Sequence, residues 1–265
     1  MIICAFDGLQ LSQVTPQLMP NLAGFAAEGF TFGRHHPVFP SVTRLNAASM
    51  LTGCYPGRHG IAGNRMVFRE LDPHRLIDVL EPNLKEINRE TNGGVLLVPT
   101  LGERLAESGL KQASIVSGTS GNAFCHNPNA AKVGCAVIHT DFSLPANLHS
   151  DLEKRYGKWP ESEIPNTPRL KHATKLLLEY VLPEVNPAVA FIWYSEPDTS
   201  HHAHGLGSHK SKVSLMHADN EFGRLLDSLS ASGLEDKTNI LVVSDHGYST
   251  VIEAVDIEQL VLEAG

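Results

Sequence analysis

Three stretches of this chain are apolar without a break, and each stops at a polar, acidic segment. Ile2–Phe6 runs into Asp7-Gly8, Val189–Tyr194 into Ser195-Glu196-Pro197-Asp198, and Ile240–Val243 into Ser244-Asp245-His246-Gly247. Short continuous apolar runs mark strands buried on both faces, and such strands belong to parallel sheets. Ala113–Ser117 is expected to be a fourth.

Between these runs the apolar positions take helical spacing. Helices are expected at Met19 to Glu28, closed by Gly29, with Leu22, Phe25 and Ala26 inward, and at Leu101 to Ser108, closed by Gly109. Leu170 to Val181 reads as another. Ser211 to Leu229 is a long amphipathic helix with Val213, Met216, Phe222, Leu225 and Leu226 inward, and a last helix covers Ile257 to Ala264. Alternating strands and helices predict an α/β fold: a doubly wound, mostly parallel sheet with helices on both faces. Residues 1–265 read as a single domain with insertions at about 65–98, polar and poorly periodic, and about 119–168, rich in Pro, Asn and Gly and expected to be an insertion or lid.

Composition narrows the possible partners. A chain of 265 residues, 42% of them hydrophobic, can bury a sizeable core. Net charge is −8 with no block of Lys or Arg, which gives no nucleic-acid footprint. No apolar run reaches membrane-spanning length and no basic-then-apolar leader opens the chain. Cys4, Cys54, Cys125 and Cys135 form no CxxC pair. Free buried thiols are expected rather than a Cys125–Cys135 bridge, in a cytoplasmic setting. Nothing in the sequence sets the oligomeric state.

The acidic strand ends carry the candidate chemistry. Ligands of such sheets collect outside the carboxyl ends of the strands, where Asp7, Asp198 and Asp245 all fall. His246 follows Asp245 directly, and Gly247 lets the chain curl so that both reach one ion. Asp198 and His202 are four apart, close enough for one helical turn to aim both at a metal. Carboxylate and imidazole together favour zinc, with manganese or iron as substitutes. A single strand-end Asp is commonly only a helix cap. Three converging ends with two His partners are hard to explain as packing. His201, His204, His209 and His217 crowd around Asp198 as outer-layer or surface residues, and His59 before Gly60 reads as a structural hydrogen-bonder.

Phe39 to Asn64 remains. Pro40 keeps the chain out of a helix until Thr43, after which Leu45, Ala48 and Leu51 take helical spacing up to Gly53 and Pro56. A Thr hydroxyl at a helix start either caps the helix or faces an anion docked at its positive end.

Taken in order, Asp7-Gly8, Pro40-Ser41-Val42-Thr43, Leu51-Thr52-Gly53, Tyr55-Pro56, His59-Gly60-Ile61, Asn64, Glu196-Pro197-Asp198 through His202, and Ser244-Asp245-His246-Gly247 resemble the alkaline phosphatase superfamily. Within it they are most similar to the nucleotide pyrophosphatase/phosphodiesterase (type I phosphodiesterase) family. The resemblance spans residue 3 to about residue 250 in separated blocks. It implies an alkaline phosphatase-like fold and two divalent ions, usually zinc. Asp7, Thr43, Asp245 and His246 would hold one ion, and Asp198 and His202 would belong to the other. Thr43 would be the nucleophile, forming a phospho-threonine that water then hydrolyses, and Asn64 would donate its amide to a non-bridging phosphoryl oxygen. The implied substrate is a small phosphorylated molecule such as a nucleotide.

Two features qualify the match. The family completes its second metal site with another His well downstream of Asp-His-Gly, whereas no His follows Gly247 here. The expectations are a C-terminal truncation, a substitute ligand in His204 or His209, or a degraded second site. Cys54-Tyr55-Pro56-Gly57-Arg58 also spells the CxPxR signature of sulfatases. It lies at the wrong end of the helix, where the shared alignment places Thr43 nine residues before Thr52. Three hydrolase readings share the same core residues: phosphodiester or pyrophosphate hydrolysis, phosphonate hydrolysis of the phosphonoacetate type, and phosphomonoester hydrolysis or phosphate transfer. A degraded homologue that only binds an anion or metal is the competing class. Arg44 is a candidate contact for an acidic group, and Phe68, Phe124, Tyr156 and Trp159 are candidate stackers or packing residues.

Overall fold

Every apolar run singled out above is a strand of one sheet. The protein, examined as a computed structural model, is described over residues 1–264. Its strands are β1 (Ile2–Phe6), β2 (Arg65–Val67), β3 (Leu76–Asp78), β4 (Gln112–Val116), β5 (Ala136–His139), β6 (Ser143–Leu144), β7 (Val189–Tyr194) and β8 (Ile240–Val243). Its helices are α1 (Pro20–Glu28), α2 (Thr43–Thr52), α3 (Pro56–His59), α4 (Glu81–Glu90), α5 (Leu101–Glu107), α6 (Ser120–His126), α7 (Asn147–Tyr156), α8 (Thr167–Leu176), α9 (Asp198–His204), α10 (His209–Ala231) and α11 (Ile257–Ala264).

The main sheet runs β6-β5-β4-β7-β1-β8 and is parallel except for β6, which pairs antiparallel with β5. Side chains alternate across it. Cys4, Phe6, Ile115, Ile192 and Tyr194 join a core under α1, α8 and α10, while Ala5, Val116, Phe191 and Trp193 face a second core under α2, α4 and α6. Burial on both faces explains why these strands read as unbroken apolar runs. The doubly wound α/β fold is the one the sequence led us to expect.

β7, β1 and β8 are neighbours, with Phe6 opposite Tyr194 and Ala5 opposite Val243. Their carboxyl ends therefore open side by side, and the acidic segments that follow them meet at one edge.

The structure corrects several local readings. The stretch 119–168 is not only an insertion, because it supplies β5 and β6 at one end of the sheet as well as α6 and α7. Residues 65–98 do leave the main sheet, forming the two-stranded β2-β3 hairpin and α4. The helix expected to end at Val181 turns π-helical after α8 and continues to Val185, with Pro183 inside it. Met216 is 46% exposed, since the buried stripe of α10 runs through Leu215, Ala218, Phe222, Leu225 and Leu229. A one-residue step rotates a side chain about 100° around a helix, out of that stripe. All four cysteines are unpaired, and Cys54 alone is not buried.

Candidate active site

α2 supplies Thr43. Asn46 fastens the loop entering this helix, accepting from Val38 N at 2.8 Å and donating from Nδ2 to Val42 O at 3.1 Å. The N-cap position is Val42, which makes no side-chain cap, so Thr43 is the first residue inside the helix. Its hydroxyl is directed outward: Oγ1 donates to Asp7 Oδ1 at 3.5 Å and lies 3.4 Å from His246 Nε2. Capping does not account for this Thr. Leu45, Ala47, Ala48 and Leu51 bury the opposite side, and Gly53 ends the helix with φ +64°. Cys54 follows Gly53, a helix length of about 15 Å from Thr43.

The three strand ends do converge. Asp7 continues β1, and Trp193 Nε1 of β7 donates to its Oδ2 at 3.0 Å. Asp245, two residues past β8, accepts at Oδ1 from Gly8 N at 3.2 Å. Each buried carboxylate thus has one oxygen fastened by the scaffold and one turned to the site. His246 Nε2 lies between the free oxygens, 3.5 Å from Asp7 Oδ1, 3.5 Å from Asp245 Oδ2 and 3.8 Å from Asp198 Oδ1. Asp198 heads α9, with its backbone N–H donating to Asp7 O at 3.0 Å. His202 Nε2, one turn on, is 3.5 Å from Asp198 Oδ1 on a side chain 73% exposed.

Burial raises the pKa of Asp7, and the charges of Asp245 and Asp198 push it further up. Burial also raises that of Asp245, against the lowering influence of His246. Removing these carboxylates from water is unfavourable unless a cation or proton joins them. Oδ1 of Asp198 and Oδ2 of Asp245 are buried and have no hydrogen-bond partner. Asp7, Asp245 and His246 each place a ligand atom within 4.8 Å of the others. Carboxylate oxygens and an imidazole nitrogen suit zinc or manganese, so the donor set fits a divalent ion.

Other sequence candidates separate clearly. His201 is committed at both ring nitrogens, Nδ1 to Ser211 Oγ at 2.7 Å and Nε2 to Gln13 Nε2 at 2.9 Å. His217 Nδ1 is 2.6 Å from Thr167 Oγ1. His204 and His209 are exposed, and no described contact joins either to the carboxylates. The structure therefore gives the substitute-ligand expectation no support. His59 is buried, with Nε2 2.9 Å from Ser49 Oγ and Nδ1 accepting from Ile61 N at 3.2 Å, the structural role its place before Gly60 suggested. Arg44 Nη1 donates to Asn64 O at 2.9 Å, tying the loop that carries Asn64 to the start of α2, while the Asn64 side chain is exposed. Phe68 and Phe124 are core residues, Tyr156 packs on Tyr180, and Trp159 packs on His172. None of the four lies among the residues around Thr43.

The roles of four residues at the site escaped sequence reasoning. Trp193 looked like one more apolar position in β7. Gly8 has φ +70°, and a Cβ there would meet the Tyr248 ring at 3.2 Å and Asp198 Cβ at 3.3 Å. Tyr248, two residues after His246, places its ring against His201, His202 and His246, with centroids 5.0, 5.3 and 5.9 Å apart. Glu196 was quoted only as part of a motif. It is fully buried, accepts from Asn166 N at 2.7 Å and Ser200 N at 3.0 Å, and so fixes the first turn of α9 beneath Asp198.

Comparison with known proteins gives the family. The family model for type I phosphodiesterase / nucleotide pyrophosphatase matches residues 1–265. The chain belongs to that family. It is 25% identical over 249 residues to bis(5'-adenosyl)-triphosphatase enpp4 of Xenopus laevis, covering 93% of this chain and 46% of that protein. Against ectonucleotide pyrophosphatase/phosphodiesterase family member 7 of Mus musculus it is 25% identical over 251 residues, covering 95% and 50%. The chain thus spans about half the length of the curated relatives it matches. Its fold is similar to that of murine ectonucleotide pyrophosphatase / phosphodiesterase 5 in complex with AMP (TM-score 0.64, 17% identity, 93% of this chain and 56% of that one). It is equally similar to phosphonoacetate hydrolase from Sinorhizobium meliloti 1021 in complex with phosphonoacetate (TM-score 0.64, 19% identity, 93% and 55%).

Proposed function

We propose that this chain carries a two-metal hydrolase of phosphodiester or pyrophosphate bonds that works through a phospho-threonine on Thr43. The observation that supports it most is the direction of the Thr43 hydroxyl, which faces Asp7 and His246 at the mouth of a buried carboxylate cluster. Family membership supports this class of bond, and the complex of a fold relative with AMP makes a nucleotide the substrate to try first.

Asp7, Asp245, His246 and Thr43 would hold one divalent ion and Asp198 with His202 would belong to a second, zinc or manganese by donor type. When bound, such ions supply Lewis acidity toward a phosphoryl oxygen and lower the energy of a Thr alkoxide. The protein's own part is orientation. Trp193 and the Gly8 amide hold Asp7 and Asp245 so that their free oxygens face the nucleophile. Thr43 Oγ1 forms the new bond to phosphorus as the bond to the leaving oxygen breaks, and the hydroxyl proton, which Asp7 Oδ1 orients at the start, passes through solvent to the leaving oxygen. Water then attacks the same phosphorus, one of its protons returns to Thr43 Oγ1, and the phosphate product leaves. Asn64 would donate its amide to a non-bridging oxygen, its loop held by Arg44.

A panel of nitrophenyl phosphate monoester, phosphodiester, nucleoside ester and phosphonate substrates with added zinc or manganese tests the reading. Turnover of diesters above monoesters supports it. Turnover of phosphonoacetate alone would favour the phosphonate reading. No turnover with bound metal would leave the non-catalytic homologue. Thr43→Ala is expected to lower turnover on the order of 10³-fold or more while metal content persists. Unchanged activity in that variant would sink the nucleophile assignment.

A further inference from the structure

Arg44 carries a charge that no carboxylate answers. It follows Thr43 in the first turn of α2 and is half-buried. Asp78, the carboxylate that acts on it, is itself paired with Arg65 at 3.3 Å. Arg44 Nε is buried and has no hydrogen-bond partner. A guanidinium has five donors, and leaving one of them buried and unpaired is costly. Met at this place would cover the same apolar surface as the stem without that cost. Packing alone therefore does not explain the residue.

What the guanidinium holds is the main chain of Asn64. Nη1 donates to Asn64 O at 2.9 Å, and Val79 N donates to the same oxygen at 2.9 Å. Asn64 and Val79 flank the Arg65–Asp78 pair, where β2 and β3 open onto the rest of the molecule. Asn64 thus belongs to a hairpin outside the main sheet, and the Arg44 side chain joins that hairpin to the helix that begins with Thr43. α6 closes over the joint. A Cβ on Gly121 would run into Val79 O and come within 3.1 Å of Arg44 Cδ. In so close a packing the stem has little room to swing away from the Asn64 carbonyl.

We propose that Arg44 is a positioning residue for phosphoryl transfer. By holding the Asn64 carbonyl it sets the Asn64 amide at a fixed place relative to the Thr43 hydroxyl, without touching substrate itself. It rests on the roles given to Thr43 and Asn64 above and adds the part that joins them. A donor that stabilises growing charge must stand in place before the reaction, to within about 0.5 Å. The hairpin and α2 are separate elements, and the Arg44 hydrogen bond sets one against the other. Because the amide acts on charge that grows at the phosphoryl oxygen, losing its place falls on kcat more than on KM.

The test is a double-mutant cycle on the zinc-loaded protein with a nitrophenyl phosphodiester, read beside amide hydrogen exchange. Asn64→Ala should lower kcat by about 100-fold. Arg44→Met should lower it by about 10-fold with KM nearly unchanged, and Arg44→Lys, which restores the charge and a donor, should recover part of that loss. In the Asn64→Ala background Arg44→Met should change nothing further. The Val79 amide, which bonds the same carbonyl, should exchange faster in Arg44→Met while the amides of Leu45 to Leu51 keep their protection. Additive losses overturn the proposal and leave the function reading standing, as does wild-type kcat or unchanged Val79 exchange in Arg44→Met. Wild-type turnover in Asn64→Ala removes the role of Asn64 and the proposal with it. A wild-type protein that turns over no phosphodiester overturns the function reading and this proposal together. Should Arg44→Met fail to fold, Arg44→Gln carries the same cycle.

Discussion

The two halves of the candidate site are built differently. Asp7 and Asp245 are buried, sit at the ends of neighbouring strands, and have one carboxylate oxygen each fastened from across the sheet by Trp193 and Gly8. Asp198 and His202 share one turn of α9, and His202 stands largely in water. The first half is held by tertiary structure, the second by a single helical turn. A site held by the sheet is already oriented before a ligand arrives, whereas an exposed imidazole at i+4 loses rotamer freedom on binding. The half with Thr43 is therefore expected to bind its ion more tightly and to tolerate substitution less.

That contrast can be broken on either side. The largest effect is expected from Asp245→Asn, which removes a charged ligand from the buried half and should weaken its ion by more than about 100-fold, beyond what loss of an outer partner does. Plasma emission after dialysis against limiting zinc would show it. His202→Ala should cost the other ion about 10-fold and leave the first nearly untouched; equal loss of both ions would mean that the halves are not independent. Trp193→Phe keeps an aromatic ring in the core but deletes the donor to Asp7 Oδ2, so affinity at the first half should fall by about 10-fold with little change at the second. If Trp193 serves packing only, calorimetry will show no such selectivity.

The smallest effect concerns the helix that carries Thr43. Burial lowers the His59 pKa from 6.5 to about 4, so the folded state prefers the neutral ring that bonds Ser49. A base with a folded pKa below its unfolded one stabilises the fold above the unfolded value and loses that stability as pH falls. Stability should therefore decline between about pH 6.5 and 4. His59→Gln should flatten part of this decline, with buried His126 continuing to act in the same direction. Parallel melting-temperature curves for the two proteins would contradict it.

Sequence reasoning reached the buried half because its signals are strong and local. An unbroken apolar run followed by Asp is legible at Phe6-Asp7 and Val243-Ser244-Asp245, and parallel-sheet physics brings such ends together. The direction of Thr43 could not be read, since a hydroxyl that caps and one that points away have the same sequence. Trp193 was hidden because its ring is core while its N–H is not, and an apolar pattern records only the ring. β5 and β6 were missed because a four-residue and a two-residue strand lie among Pro, Asn and Gly, where local chemistry favours turns and only sheet pairing decides. Met216 went wrong by one position, as a stripe inferred from spacing alone can rotate when Ser and Ala share the buried face.

The central claim is that Thr43 attacks phosphorus. It is tested most directly by quenching the zinc-loaded protein in acid during turnover of a phosphodiester and locating the adduct by peptide mass spectrometry. The account predicts a phosphoryl group, or its monoester, on Thr43 and on no other residue. Steady turnover with Thr43 unmodified, and persisting in Thr43→Ala, would contradict it.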